Sequence, residues 1–73
     1  MKSETTEAVK ASAIALRVAV YGYTNAAERY AAGDVETTRE AVLARRRDVH
    51  LALEELTELV VEAVREREGD DDT

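Results

Sequence analysis

Three consecutive arginines, Arg45, Arg46 and Arg47, form the only basic cluster in the chain. A guanidinium group matches the geometry of a carboxylate or phosphate, and it also stacks on aromatic rings. If the chain folds back on itself, Tyr21 reaches the level of this cluster, and Arg17 adds a further cation. The sequence therefore predicts a candidate anion or nucleic-acid site. The alternative is that the arginines extend past the core and pair with acids.

Acidic residues dominate the second half of the chain. Four glutamates follow one another at intervals of four residues, and a fifth stands beside the first: Glu54, Glu58, Glu62, Glu66 and Glu55. Like charges at this spacing destabilise a helix by about 0.2 to 0.5 kcal/mol per pair. One interpretation is a docking surface for a basic partner protein. The other is a solvated face that keeps an apolar bundle in solution.

No catalytic or metal-binding pattern is present in the sequence. His50 stands four residues before Glu54, which is half of a metal site, but the Glu-x-x-His pairs of di-metal bundles are missing. The chain has no cysteine and no glycine-rich phosphate loop, and no base stands near its serines. We expect no enzymatic activity, no metal and no cofactor. An interface histidine would make assembly sensitive to pH.

Gly33 and Asp34 hold the only plausible break between two long helical patterns. Glycine adopts the left-handed conformation that ends a helix, and aspartate accepts hydrogen bonds from the amides that follow. The sequence predicts one domain, residues 1–68, of the all-α class. Its parts are a first helix over about 4–32, a turn at 33–34, a second helix over about 35–67 and a disordered acidic tail over 69–73. A short connection favours an antiparallel two-helix hairpin.

Each predicted helix carries an apolar seam with alternating spacings of three and four residues. In the first helix the seam is Val9, Ala13, Leu16, Val20, Tyr23, Ala27 and Tyr30. In the second it is Val35, Thr38, Val42, Val49, Leu53, Leu56, Val60 and Ala63. These two seams are predicted to face each other.

The first helix has apolar residues outside its seam as well. On the far side and on a flank of small residues lie Ile14, Ala15, Val18, Ala19, Tyr21, Gly22 and Ala26. A helix that is apolar over most of its circumference must be covered by more than one partner. Because a core of this size rarely supplies more than about 3 to 5 kcal/mol, we expect self-association as a homodimeric four-helix bundle.

The chain carries ten Lys and Arg against sixteen Asp and Glu, a formal net charge of −6. This charge disfavours nucleic acid and anionic membranes as partners. The longest uncharged run, residues 18–27, is far below the roughly 20 residues that a membrane span requires. We expect a soluble, cytoplasmic protein.

In length and layout the predicted hairpin resembles the RNA-binding Rop proteins, although it shares no motif with them. The resemblance implies a dimeric four-helix bundle and, as an alternative function, RNA or DNA binding through the arginine cluster. The function that we expect first is a small protein-interaction module, an adaptor, inhibitor or assembly subunit. It would act through the acidic face of the second helix or the apolar face of the first. A structural subunit of a larger helical assembly is the third alternative.

Overall fold

The computed structural model describes residues 3–71, and within that range the chain is all-helical, as its composition predicted. Helix α1 spans Ser3–Ala31 and helix α2 spans Arg39–Asp71. The two helices form a hairpin in which the Thr5 hydroxyl, at the start of α1, donates to the Glu66 carboxylate, near the end of α2, at 3.0 Å. Neither helix, over these residues, has an apolar stretch long enough to cross a membrane.

Gly33 ends α1 in the way that the sequence predicted. Its φ angle is +85°, the left-handed region that side chains with a β-carbon rarely adopt. The Gly33 amide donates to the Tyr30 carbonyl at 3.1 Å, and the Asp34 amide donates to the Arg29 carbonyl at 3.0 Å. These two bonds form a Schellman motif, which satisfies carbonyls that the end of the helix leaves free.

The connection between the helices is longer than predicted, since residues 32–38 lie outside both of them. The Asp34 carboxylate accepts the Glu36 amide at 3.1 Å and the Thr37 hydroxyl at 3.0 Å, which holds the chain in a tight turn. The Thr38 hydroxyl then accepts the Ala41 amide at 3.1 Å. Thr38 therefore caps α2, and the prediction that this helix begins at residue 35 is wrong because Asp34 stabilises a turn instead.

The far end of α2 also differs from the prediction. The helix continues through Gly69 to Asp71, whereas the sequence predicted an end at residue 67 and a disordered tail from 69. No neighbouring atom lies close to Gly69, so nothing there opposes a helical backbone. The rest of the predicted tail, residues 72–73, lies outside the described residues.

Large and small side chains alternate along the surface that α1 turns toward α2. The half-buried residues of this seam are Thr5, Val9, Leu16, Ala19, Tyr23 and Ala26, with Ser12 buried. On α2 the half-buried residues are Val42, Val49, Ala52, Leu56, Leu59, Ala63 and Glu66. Small side chains on one edge of each seam allow two helix axes to approach closely.

The predicted seams were right in part. The half-buried members are Val9, Ala13, Leu16, Tyr23 and Ala27 on α1 and Val42, Val49, Leu56 and Ala63 on α2. The other predicted members are exposed. They are Tyr30, Val35 and Thr38, together with Val20, Leu53 and Val60, which are 40 %, 49 % and 42 % exposed. Ala19 and Ala52 are half-buried in their place. Small side chains from a second edge of each helix therefore join the large ones between the helices.

The hairpin leaves most of its apolar surface uncovered. Within the described residues no apolar side chain is fully buried, and twelve large ones are at least 40 % exposed, up to 93 % at Val35. The chain exposes 5795 Å², whereas a compact monomer of 8.1 kDa exposes about 4,500 Å². Its radius of gyration is 16.8 Å, against about 11 Å for a compact domain of this length.

Candidate functional site

The arginine cluster does not form a single pocket. Arg45 turns inward and crosses Gly22, where an added β-carbon would lie 3.5 Å from the Arg45 Nη1 atom. Tyr21 is 74 % exposed and lines neither of the two hollows that contain arginines of the cluster. Arg46 and Arg47 border a shallow surface hollow on α2 instead. Successive helical side chains diverge by about 100°, which separates the three arginines.

Arg45 shares a polar cleft at the closed end of the hairpin with residues that the sequence argument missed. The cleft has a volume of about 210 Å³, and Asn25, Arg29, Glu36 and Thr37 line it together with Arg45. The Arg29 charge also acts on Asp34, whose pKa is held below its ordinary value by the Glu36 amide, the Thr37 hydroxyl and then Arg29. The residues of this cleft therefore stabilise the turn, and the negative charge of Glu36 would repel an anion that approached it.

An apolar groove runs along one side of the hairpin at its open end. It has a volume of about 270 Å³ and a floor of apolar atoms, and its walls come from both helices. The lining residues are Thr6, Val9, Lys10, Val60, Ala63, Val64 and Arg67. The cations of Lys10 and Arg67 therefore border an apolar floor.

Residues seven apart on a packed helix lie on the same side, so the side of the hairpin that carries the groove can be traced along both helices in steps of seven. On α1 the steps start from Thr6 and Lys10, and on α2 they start from Val60 and Val64. The surface so defined, which we name the basic face, carries the cations Lys10, Arg17, Arg39, Arg46 and Arg67 with His50, and the exposed apolar residues Val20, Leu43, Leu53, Val60 and Val64. Half of the ten Lys and Arg lie here, and between residues 6 and 67 no Asp or Glu does, although the last step from Val64 reaches Asp71.

A second observation supports this assignment near the middle of α2. One surface hollow is lined by Leu43, Arg46, Arg47 and His50. The steps of seven place Leu43, Arg46 and His50 on the basic face. The bulky residues that the sequence argument had placed between the helices, Val20 and Leu53, lie on this same side. The displaced apolar side chains and these cations therefore share a single surface.

The glutamates of α2 divide into two groups. Glu54, Glu55, Glu58 and Glu62 are exposed, and together with the exposed apolar residues Leu51 and Val61 they form what we name the acidic face. Glu58, Val61 and Glu62 border one hollow, which Arg65 also lines.

Glu66 does not belong to that face, although the sequence grouped it there. Its carboxylate is half-buried and accepts the Thr5 hydroxyl of α1. Each step of four residues rotates about 40° around a helix, so three steps carry the ladder from the outside to the inside of the hairpin.

The residues predicted for self-association also divide into two groups. Ile14, Val18 and Tyr21 are 57 %, 67 % and 74 % exposed and form an outer α1 face with the exposed Ala15. The other three, Ala19, Gly22 and Ala26, are half-buried on the side that faces α2.

Gly22 and Ala26 line the same cleft as Arg45 of α2. The small flank therefore permits close approach of α2, and it is not part of the outer α1 face. The sequence could not separate these roles because both give the same pattern of small residues.

Comparison of the chain with protein-family models, with curated proteins and with solved structures finds no match. The surfaces described above are therefore the basis for a functional conclusion.

Proposed function

We propose that this chain is a non-enzymatic protein-interaction module, built as an antiparallel hairpin that pairs with a second copy into a four-helix bundle. The observation that carries the proposal is the absence of any fully buried apolar side chain in the described part of the hairpin. A chain with so little core gains most of its stability from association. The antiparallel order is supported by the contact of Thr5 with Glu66 and of Gly22 with Arg45.

The outer α1 face is the surface that this pairing would bury. Ile14, Val18 and Tyr21 lie at spacings of four and three residues, so they form one continuous stripe. The chain exposes about 1,300 Å² more than a compact monomer, and a standard interface buries about 800 Å² per partner. Pairing through this stripe leaves the acidic face outside, where it is available to a basic partner surface.

Sedimentation equilibrium over a concentration series tests the pairing. We expect the native chain to be a dimer at micromolar concentration, and Val18→Lys/Tyr21→Lys to shift it to monomer with reduced helicity. Val35→Lys is the matched control, because Val35 is 93 % exposed in the connection and lies on neither helix. A native chain that is monomeric and unfolds cooperatively at micromolar concentration would refute the proposal.

A further inference from the structure

The two charged faces of the hairpin are complementary to each other. The basic face combines five Lys and Arg with exposed Val and Leu side chains and contains no acid between residues 6 and 67. The acidic face combines four exposed glutamates with Leu51 and Val61, which are 59 % and 43 % exposed. We propose that the basic face of one copy binds the acidic face of another copy of this chain. The inference rests on the proposed function and names the partner of its acidic face.

The groove at the open end is suited to bind an apolar side chain of a partner that has acidic residues on either side of it. Val9, Val60 and Ala63 contribute to its apolar lining, and Lys10 and Arg67 stand at its borders. A partner with an apolar residue between carboxylates satisfies both features, because the apolar group leaves water while the acids reach the cations. The groove is open and partly lined by side chains that the hairpin itself leaves exposed, such as Val64 at 49 %.

The acidic face presents that chemistry. Val61 lines one hollow together with Glu58 and Glu62, so an apolar side chain and two carboxylates border the same surface, which Arg65 also lines. Leu51 lies two to three turns earlier on the same helix and extends the apolar part of the face. Every copy of the chain therefore carries both halves of the contact.

A two-fold contact of the basic face with itself is disfavoured. Such a contact would bring Arg17, Arg46 and the other cations of two copies together without an intervening acid, and like-charge juxtaposition is costly. The contact that we propose is instead heterologous, with a different surface on each copy, and it builds rings or filaments. This distinguishes it from the closed apolar dimer of the outer α1 face.

Charge reversal on each face tests the contact with full-length protein. The acidic-face variant is Glu58→Lys/Glu62→Lys, and the basic-face variant is Arg17→Glu/Arg46→Glu. In the first variant each lysine stands four residues from Glu54 or Glu66, so the helix gains favourable pairs and should remain folded. In the second, both arginines are exposed and make no ion pair within the described residues, so folding should also be retained.

Association is measured by fluorescence anisotropy of labelled protein, at 50 mM and 500 mM salt. We expect each variant alone to self-associate at least about tenfold more weakly than the native chain. An equimolar mixture of the two variants should associate, because one keeps its basic face and the other its acidic face. The variant that combines all four reversals should recover part of the self-association, because the new acids at positions 17 and 46 can pair with the new lysines at positions 58 and 62.

Arg29→Glu is the charge-reversal control, because Arg29 is exposed and lines the cleft at the closed end, which shares no residue with either charged face. It should leave association within about twofold of the native value. The inference is overturned if self-association does not change with salt, or if no charge reversal weakens it. Either result leaves the proposal of the apolar dimer intact. Loss of vesicle or RNA binding in Arg17→Glu/Arg46→Glu, with no salt-sensitive self-association in the native chain, also overturns the inference and assigns the basic face to a lipid or nucleic-acid surface.

Discussion

The two ends of the hairpin are built in different ways. At the closed end, Gly33, Asp34 and Thr38 each bond to backbone or side chains within five residues of themselves along the chain. At the open end, Thr5 bonds to Glu66, which is 61 residues away, and the groove beside them takes its walls from both helices. The closed end is therefore local structure, whereas the open end exists only when the helices pack together.

This difference separates stability from binding. Local hydrogen bonds set where the helices begin and end, and they leave little surface for a partner. The open end has few such bonds and exposes an apolar floor between cations. We expect substitutions at the closed end to change the free energy of unfolding, and substitutions at the open end to change association more than unfolding.

The largest expected effect is at Gly33. Gly33→Ala places a β-carbon at φ +85°, which costs about 1 to 2 kcal/mol for a residue with a side chain. Urea unfolding at a fixed protein concentration measures the loss. Gly22→Ala is the control, because Gly22 lies in a right-handed helix and its added β-carbon would make an ordinary contact with Arg45. The control should gain about 0.5 to 1 kcal/mol, and equal losses at both glycines would contradict the local account of the closed end.

The next effect is at the start of α2. Thr38→Ala removes the hydroxyl that accepts the Ala41 amide, and the loss of such a cap costs about 1 kcal/mol. Thr38→Ser keeps the hydroxyl and should retain most of the stability. Amide hydrogen exchange in the first turn of α2 should rise in the alanine variant. If exchange there is unchanged, Thr38 does not set the beginning of the helix.

Ser12→Ala should stabilise the hairpin. Ser12 is only 7 % exposed, and its Oγ has no hydrogen-bond partner within the described residues. Replacing it removes an unsatisfied hydroxyl and improves helix propensity, which we expect to add about 0.5 to 1 kcal/mol to the free energy of unfolding. Thermal unfolding measures the gain, and Ala11→Ser, at an exposed neighbour, is the matched reverse change. A loss of stability in Ser12→Ala would show that the hydroxyl has a partner in the assembled protein.

A smaller effect is expected at the open end. Thr5→Val removes the bond to Glu66, which is only partly buried, so the expected loss is about 0.5 kcal/mol. In a double-mutant cycle, Thr5→Val should cost nothing further once Glu66→Ala is present. Additive losses would show that the two residues act independently and that the contact between the ends of the helices is not formed in solution.

The smallest effect is the pH dependence of the turn. The Glu36 amide, the Thr37 hydroxyl and the Arg29 charge hold the pKa of Asp34 below 3.8 in the folded chain. Because the folded pKa is lower than the unfolded one, the contribution of Asp34 is complete above about pH 4 and is lost as the pH falls through the folded value. Carboxyl titration by NMR measures this pKa directly. Asp34→Asn should remove only that part of the acid sensitivity, and an Asp34 pKa above 3.8 would contradict the hydrogen bonds described.

Structure formed by residues near one another in the sequence could be predicted where those residues had only one favourable local arrangement. Gly33 was predicted as the end of α1 because a Schellman motif depends on glycine and on carbonyls one turn away. The start of α2 was missed because two local arrangements were open to the same residues. Asp34 could begin a helix or close a turn, and Thr38 is an equally good cap four residues later.

The sequence by itself determined the helical class, the position of the break and the excess of apolar and acidic residues, because these follow from composition and from contacts within a few residues. Only the tertiary structure decided which edge of each seam faces inward. Helices pack through the edge that brings their axes closest, and here that edge carries Ala19 and Ala52 while Val20 and Leu53 remain outside. Relative to the predicted packing, each helix is therefore rotated about its axis by a fraction of a turn. This rotation places Glu66 on the inner side and brings cations of both helices onto one basic face. No spacing within a single helix contains that information, since it depends on how two surfaces fit together.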